Sequence, residues 1–405
     1  STVFDISYYK VFKKYLLFLG QFPNQSRWSS KFNVTVMTGS LLTFYFPAVS
    51  KNAIDELNTL KILMLLKKYC EYWLHEIDER ILDFEKMFDV IKKDWKLLND
   101  KSQTHILEEI TKQGNKIGEI YRSNCCNLSF DKFYTLNMFL YINIFNNFYT
   151  NNKFLIFSAF VLSCMSGFIV IPLYPAFLDI FIPLNETRQR HQMFRLTYFL
   201  DENRYFYPIY FHSLWCSFVT VMIAVTIDSL YIQIVHHDCA IFAICGQNII
   251  TATGSTGVRI NETYTERFRQ CLTMHKNALQ LVTINRRSFF FQILLTMVGM
   301  TITAVQAVIN LHRPEEALRI GLFLVGQQFH LLIITLPGQV ITDHSFELTN
   351  DMYVNKYVLN VRKVIMRSSK PCKLTAGGIY EMNIENFGIV HINRKNTRRS
   401  LGNFM

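Results

Sequence analysis

The sequence predicts an all-α membrane protein with its N-terminus on the cytoplasmic side. Three observations carry this. Half of the 405 residues are apolar and only 18% are charged, against about a quarter in soluble chains. Five windows of 19 to 25 positions contain no Asp, Glu, Lys or Arg, and roughly 20 apolar helical residues cross the hydrocarbon of a bilayer. The net charge of +11 fits basic loops held on the cytoplasmic side. The same composition argues against disorder, against a nucleic-acid partner and against an ordinary cytosolic enzyme.

The elements follow in order. Residues 1–31 hold five Lys or Arg and one acidic residue, so they are placed inside. No secretory signal is expected there, because the stretch lacks a clean apolar core and a small-residue cleavage site. The first span is 32–50. The span at 154–178 runs outward, 205–227 inward, 288–312 outward and 320–342 inward. The loop 179–204 is charge-balanced and is placed outside. The segment 228–287 is read as a cytoplasmic loop; its part from 229 on holds six Lys or Arg. Two further uncharged windows are not counted as spans. Phe133 to Asn152 holds six Asn, which hydrocarbon disfavours, and Cys239 to Val258 ends in Thr, Gly and Ser, which read as a loop.

Parity requires one more crossing between Ser50 and the span at 154. Residues 53–74 are the candidate second span, although Asp55, Glu56, Lys61, Lys67, Lys68 and Glu71 make it weak. Either neighbouring helices and snorkelling lysines support it, or this part of the chain is degraded. Residues 75–153 are then a cytoplasmic extension and loop. Residues 343–373 are an amphipathic cytoplasmic anchor helix, broken at Pro371. The 20 residues 374–393 lack Lys and Arg and are long enough for a seventh span. Glu381, Asn383, Glu385 and Asn386 suit one face on a wet pore, or a short soluble tail. A basic tail, 394–405, follows.

The main spans hold aromatic rather than charged candidates. Tyr207, Phe211 and Trp215 recur every four residues on one face of the fourth span, with Tyr210 beside them. Phe168 and Tyr174 come from the third span and Phe323 from the sixth. Each either contacts an apolar ligand or packs on a helix or lipid. A volatile burying roughly 200 Å² gains at most about 5 kcal/mol before association costs, so micromolar or weaker binding is expected.

At this point the residues resemble a family. SKPCKLTAGGIYEMNIENFG (369–388) resembles the final-helix signature of insect odorant receptors. HKNALQ (275–280) resembles that family's pattern before its fifth span, and RYFYPIYFHS (204–213) its fourth-span start. GQFPNQSR (20–27) is similar to its N-terminal motif, with Phe22 where Trp is usual. The order and spacing agree. NLHRPEEALRIGLFLVGQQFHLL (310–332) looks hymenopteran, and the length resembles a ligand-tuning subunit.

The resemblance implies a seven-transmembrane fold with a cytoplasmic N-terminus, an extracellular C-terminus and a pore-lining final helix. It implies a ligand-gated cation channel, formed as a heterotetramer with an odorant co-receptor, multi-pass in the cell membrane of olfactory sensory neuron dendrites. The ligand, a small volatile hydrophobic molecule, would lie in the outer half between the second, third, fourth and sixth helices. Tyr380, Glu381, Ile384, Glu385 and Phe387 are the candidate pore residues. Glu381 and Glu385, four apart, would either ring the pore and attract cations or face a neighbouring subunit or solvent.

The chain also departs from the family pattern. Its final helix runs into Arg394, Lys395, Arg398 and Arg399 where the family has an apolar end. The asparagine-rich stretch is long, 353–368 is short and the second span is weak. Impaired gating is the expectation from these departures, and a non-functional receptor product is an alternative reading. So is a gustatory receptor, although its last-span TYxxxxxQF pattern is missing and only Gln328-Phe329 echoes it. A G-protein-coupled receptor is disfavoured by topology and by missing DRY and NPxxY patterns. A transporter is disfavoured by spans without carboxylates.

Other chemistry is sparse. His236, His237, Asp238 and Cys239 sit together, but adjacent side chains on a helix diverge, so a solvated helix end is expected rather than a metal site. The nine Cys form no CxxC pair and read as small apolar residues, Cys164 and Cys216 among them. No phosphate loop, nucleophile elbow or HExxH motif occurs, so no catalytic residue, cofactor or metal is expected. Asn185 heads a glycosylation sequon in the outer loop; Asn261 heads another on the inside.

Overall fold

The computed structural model describes residues 7–45, 81–98, 100–126, 171–182, 188, 192, 201, 204–253, 262–354, 372–376, 378 and 380–388. Helix α1 is Ser7–Leu19 and α2 is Arg27–Tyr45. Helix α3 covers residues 81–97 and α4 is Lys101–Cys126. A 3-10 turn, Ile171–Leu173, leads into α5, Tyr174–Phe181. Three long helices follow: α6, Phe206–Thr253; α7, Glu262–Ile309; and α8, Pro314–Val354. Strands β1, Thr375–Ala376, and β2, Tyr380–Glu381, form an antiparallel hairpin. A helical turn at 384–388 comes after it.

Local chemistry sets several ends. The Ser26 hydroxyl accepts from the Ser29 N–H at the start of α2, and the Asp100 carboxylate from the Ser102 N–H before α4; both satisfy donors that a helix start leaves free. Pro314 opens α8 where a missing N–H costs nothing. Pro337 lies inside α8, where it removes one helical hydrogen bond.

The uncharged windows 205–227, 288–312 and 320–342 fall largely within α6, α7 and α8. The helices are far longer than the windows. At about 1.5 Å per residue, 48-residue α6 and α7 reach about 72 Å, more than twice the hydrocarbon thickness. The segment 228–287, expected as a loop, is therefore corrected: residues 228–253 and 262–287 are helical arms of α6 and α7. Cys239 to Val258 likewise does not begin as a loop, because α6 continues to Thr253. Charge and polarity ended the expected span, yet these arms are covered by other helices.

Two cores lie along α6. One joins its inner half to Leu107 of α4, Met274, Ala278 and Phe289 of α7, and Ile334, Ile341 and Leu348 of α8, with Cys372, Leu374, Ala376 and Met382 from the hairpin region. The other packs Tyr9, Phe12 and Leu16 of α1 and Met87, Phe88 and Ile91 of α3 against Leu230 and Ile234 of α6. Burial pushes the Tyr9 phenol up from its ordinary value, and the carboxylates of Asp238 and Asp94 add to that rise. Residues 46–50, the second span at 53–74, the asparagine-rich 133–152, most of the third span (154–170), 355–371 and the basic tail lie outside the described residues.

Candidate functional site

The outer half of α6 is amphipathic in an apolar sense. Phe206, Ile209, Tyr210, Ser213, Cys216 and Val219 are buried at spacings of three and four, which is one helical face. Tyr207, Phe211 and Trp215 stand on the other side, 46%, 63% and 44% exposed. Tyr210, expected beside this stripe, lies on the buried face next to it. It is 4% exposed and stacks on Phe206, with ring centroids 6.2 Å apart, although it also meets Phe211 edge-on at 5.7 Å. Tyr174 and Phe323 are exposed at 61% and 37%. Phe168 and Asn185 lie outside the described residues.

Helix α2 is tied to this stripe by polar contacts. The Trp215 indole donates to the Ser40 hydroxyl at 3.0 Å, and the Cys216 thiol to the Ser40 carbonyl at 3.2 Å. His212 Nε2 lies 3.0 Å from the Thr43 hydroxyl. In a bilayer such interhelical bonds hold spans together.

Asp228 marks the boundary between the halves. It is buried, and three helices converge on its carboxylate. The Tyr121 hydroxyl of α4 donates at 2.6 Å, Gln292 Nε2 of α7 donates to the other oxygen, and His330 Nε2 of α8 lies 2.8 Å away. A buried carboxylate is tolerated only when paired and hydrogen-bonded. Beyond it every residue to Phe242 is buried, and each polar side chain there needs a partner. Gln233 donates to the Thr111 carbonyl at 3.2 Å, His236 Nδ1 is 2.7 Å from the Ile232 carbonyl, and His237 Nε2 is 3.2 Å from Asp94 of α3. Asn277 of α7 donates to the other oxygen of Asp94. The solvated helix end expected at His236–Cys239 is thus corrected: all four residues are buried because α6 is sheathed by α3, α4, α7 and α8. Among the described residues no group of three His, Cys, Asp or Glu is placed to hold a metal ion.

The start of the expected pore helix is also corrected. Thr375–Ala376 pairs with Tyr380–Glu381 in the hairpin rather than forming a helix, with Gly378 at φ +80°. A Gly-Gly pair is a poor helix former, and Gly378 takes the left-handed turn. The hairpin is fastened to α8 along one face. The Cys372 N–H donates to the Ser345 hydroxyl at 2.7 Å. Two turns earlier, a Cβ on Gly338 would lie 2.0 Å from the Met382 carbonyl oxygen, so only glycine permits this approach. Ile341 and Leu348 fill the same face, and β1 also rests on α7. Met382 closes the hairpin by donating to the Leu374 carbonyl at 2.9 Å. Asn383 then caps the turn at 384–388, accepting from the Asn386 N–H at 2.8 Å.

The family model of the 7tm odorant receptors matches residues 141–391, more than half of the sequence. This chain belongs to the odorant receptor family. Among curated proteins no match to it is found. The family is one of receptors rather than enzymes, and the three helices that are long and apolar enough to cross a bilayer among the described residues agree with a helical membrane receptor.

Within the receptor, the expected pore residues fall on the hairpin and the turn after it. Tyr380 is half-buried. Glu381 pairs with Lys373 at 2.9 Å, while Ile384 and Glu385 are exposed and Phe387 is half-buried. Glu381 and Glu385 do not share one continuous helix, since Glu381 ends β2. Sequence reasoning missed Asp228 with Tyr121, Gln292 and His330, and it missed Gly338 and Ser345. One signal existed: Gln292 and His330 are polar side chains inside uncharged windows, where hydrocarbon disfavours them unless they are bonded. Counting only formal charge passes over both.

Proposed function

We propose that this receptor is a ligand-tuning subunit. It binds small, apolar, volatile molecules and, in a heterotetramer with an odorant co-receptor, gates a cation channel in the plasma membrane of olfactory sensory neuron dendrites. The family match carries the receptor role. The partly exposed aromatic stripe of α6, bordered by α2 at Trp215, supports an apolar and uncharged ligand. Dispersion and area burial on Tyr207, Phe211, Trp215, Phe323, Tyr174 and Phe168 would supply the affinity.

The gating element follows from α8. Its outer half carries Phe323 and its inner half carries the hairpin that precedes Ile384, Glu385 and Phe387. A ligand that binds one arrangement of α8 better than the other shifts the population of both. Tyr380, Glu381 and Glu385 would meet the ion path at its inner end, with the N-terminus cytoplasmic and Asn185 outside.

The test is co-expression with the co-receptor and whole-cell recording against volatile esters, alcohols and cuticular hydrocarbons. Odorant-evoked current absent from cells with co-receptor alone is the expected result. Silence with both chains at the cell surface would overturn the reading and turn attention to Arg394, Lys395, Arg398 and Arg399, which oppose cation entry.

A further inference from the structure

We propose that α1 and the first turn of α2 form a docking surface for anionic phospholipid headgroups of the inner leaflet. The proposal rests on the cytoplasmic N-terminus argued above.

Two independent sets of contacts fix the depth of α1. At its end, Asn33 Nδ2 donates to the Leu17 carbonyl at 2.9 Å, the Ser30 hydroxyl to the Gly20 carbonyl at 2.5 Å, and Gln25 Nε2 to the Leu17 carbonyl at 3.3 Å. The last turn of α1 is therefore held level with residues 30–33 of α2, where that helix's uncharged window begins at Phe32. Along its length, Tyr9, Phe12 and Leu16 pack with Leu230 and Ile234. These lie one to two turns beyond Ile227, where the uncharged window of α6 ends. The Arg122 guanidinium of α4 stands 5.1 Å over the Phe12 ring and adds a contact from α4 to α1. Both levels place α1 at the inner edge of the hydrocarbon, at headgroup depth.

The face left open is basic and aromatic. Lys10, Lys13 and Lys14 of α1 and Arg27 and Lys31 of α2 are exposed. Residues 7–45 contain no Asp or Glu, and among the described residues none of the five cations is ion-paired. Phe18, Trp28 and Phe32 stand among them, Trp28 at 89% and Phe32 at 69% exposed. The unpaired cations call for anionic groups, and the exposed Trp28 and Phe32 rings call for an adjoining apolar layer. Anionic lipid satisfies both, because tryptophan prefers the interface and lysines near it attract acidic headgroups.

The experiment uses the full-length receptor, purified in detergent, and two fluorescent short-chain lipids: phosphatidylinositol 4,5-bisphosphate and phosphatidylcholine. Binding is followed by thermophoresis across a salt series. The expected result is salt-sensitive binding of the anionic lipid alone. Replacing Lys10, Lys13 and Lys14 together by Gln should weaken it on the order of 100-fold, while replacing all three by Arg should preserve it. Should the Gln triple variant fail to fold, Arg27→Gln with Lys31→Gln should weaken binding on the order of tenfold. Unchanged binding in the neutralised variants, or equal binding of phosphatidylcholine, would overturn the proposal. An N-terminal epitope exposed on intact cells would overturn it together with the topology. Absence of odorant-evoked current would count against the channel reading only.

Discussion

In α6 the residues from 206 to 227 bury one face, whereas those from 228 to 242 are buried on every side. The outer stretch is the richer in large apolar side chains, yet it is the inner one that is fully enclosed. One face of the outer segment stands open and carries Tyr207, Phe211 and Trp215, the last also bonded to Ser40 of α2. Protein surrounds the inner segment, so Asp228, Gln233, His236 and His237 each bond to another group. An exposed outer side chain such as Phe211 can therefore serve recognition at little expense to the fold, whereas a buried one of the inner half cannot.

Substitutions can break this contrast, and the largest effect is expected inside. Phe242→Ala should cost about 3–5 kcal/mol through lost burial and a cavity, read as loss of a monodisperse peak in fluorescence-detected size exclusion. Asp228→Ala leaves Tyr121, Gln292 and His330 without their acceptor and should cost about 2–4 kcal/mol; wild-type thermal stability of that variant would remove the node from the account. Gly338→Ala sets a Cβ against the Met382 backbone and should cost about 1–3 kcal/mol, with maximal current falling while surface expression, measured by biotinylation, persists. In the outer half, Phe211→Ala should change stability by under about 0.5 kcal/mol yet raise the half-maximal odorant concentration about tenfold, as expected for one lost aromatic contact. Trp215→Phe, which loses the bond to Ser40 and part of the ring contact with Phe218, should cost about 1 kcal/mol, visible as a small drop in melting temperature.

The same contrast explains what the sequence could reveal. The all-helical membrane fold was legible, because windows such as Tyr205 to Ile227 owe their composition to hydrocarbon. The inner arms were not. Asp228 reads as the end of a span, and His236–Cys239 as a wet helix terminus, because periodicity and charge report the solvent of a segment and not the helices packed around it. Once α3, α4, α7 and α8 enclose those residues, polarity no longer means exposure. The hairpin had a local signal in Gly377-Gly378, but the length of the stretch without Lys or Arg outweighed it. The aromatic stripe was visible from its four-residue spacing. The burial of Tyr210 was also implicit in that spacing, since it lies four residues after Phe206 on the buried side. The close approach of Gly338 to Met382 had no sequence signal beyond the Pro337-Gly338 pair, since 44 positions separate the partners.

The most direct test is the odorant concentration–response of cells expressing the co-receptor with the wild-type chain, Phe211→Ala or Gly338→Ala. If the outer half recognises and the inner half transmits, Phe211→Ala shifts the curve to higher concentration with its maximum intact. Gly338→Ala lowers the maximum with the midpoint nearly unchanged. A Phe211→Ala curve superimposed on wild type, or a Gly338→Ala curve with full maximal current, would contradict that division of labour.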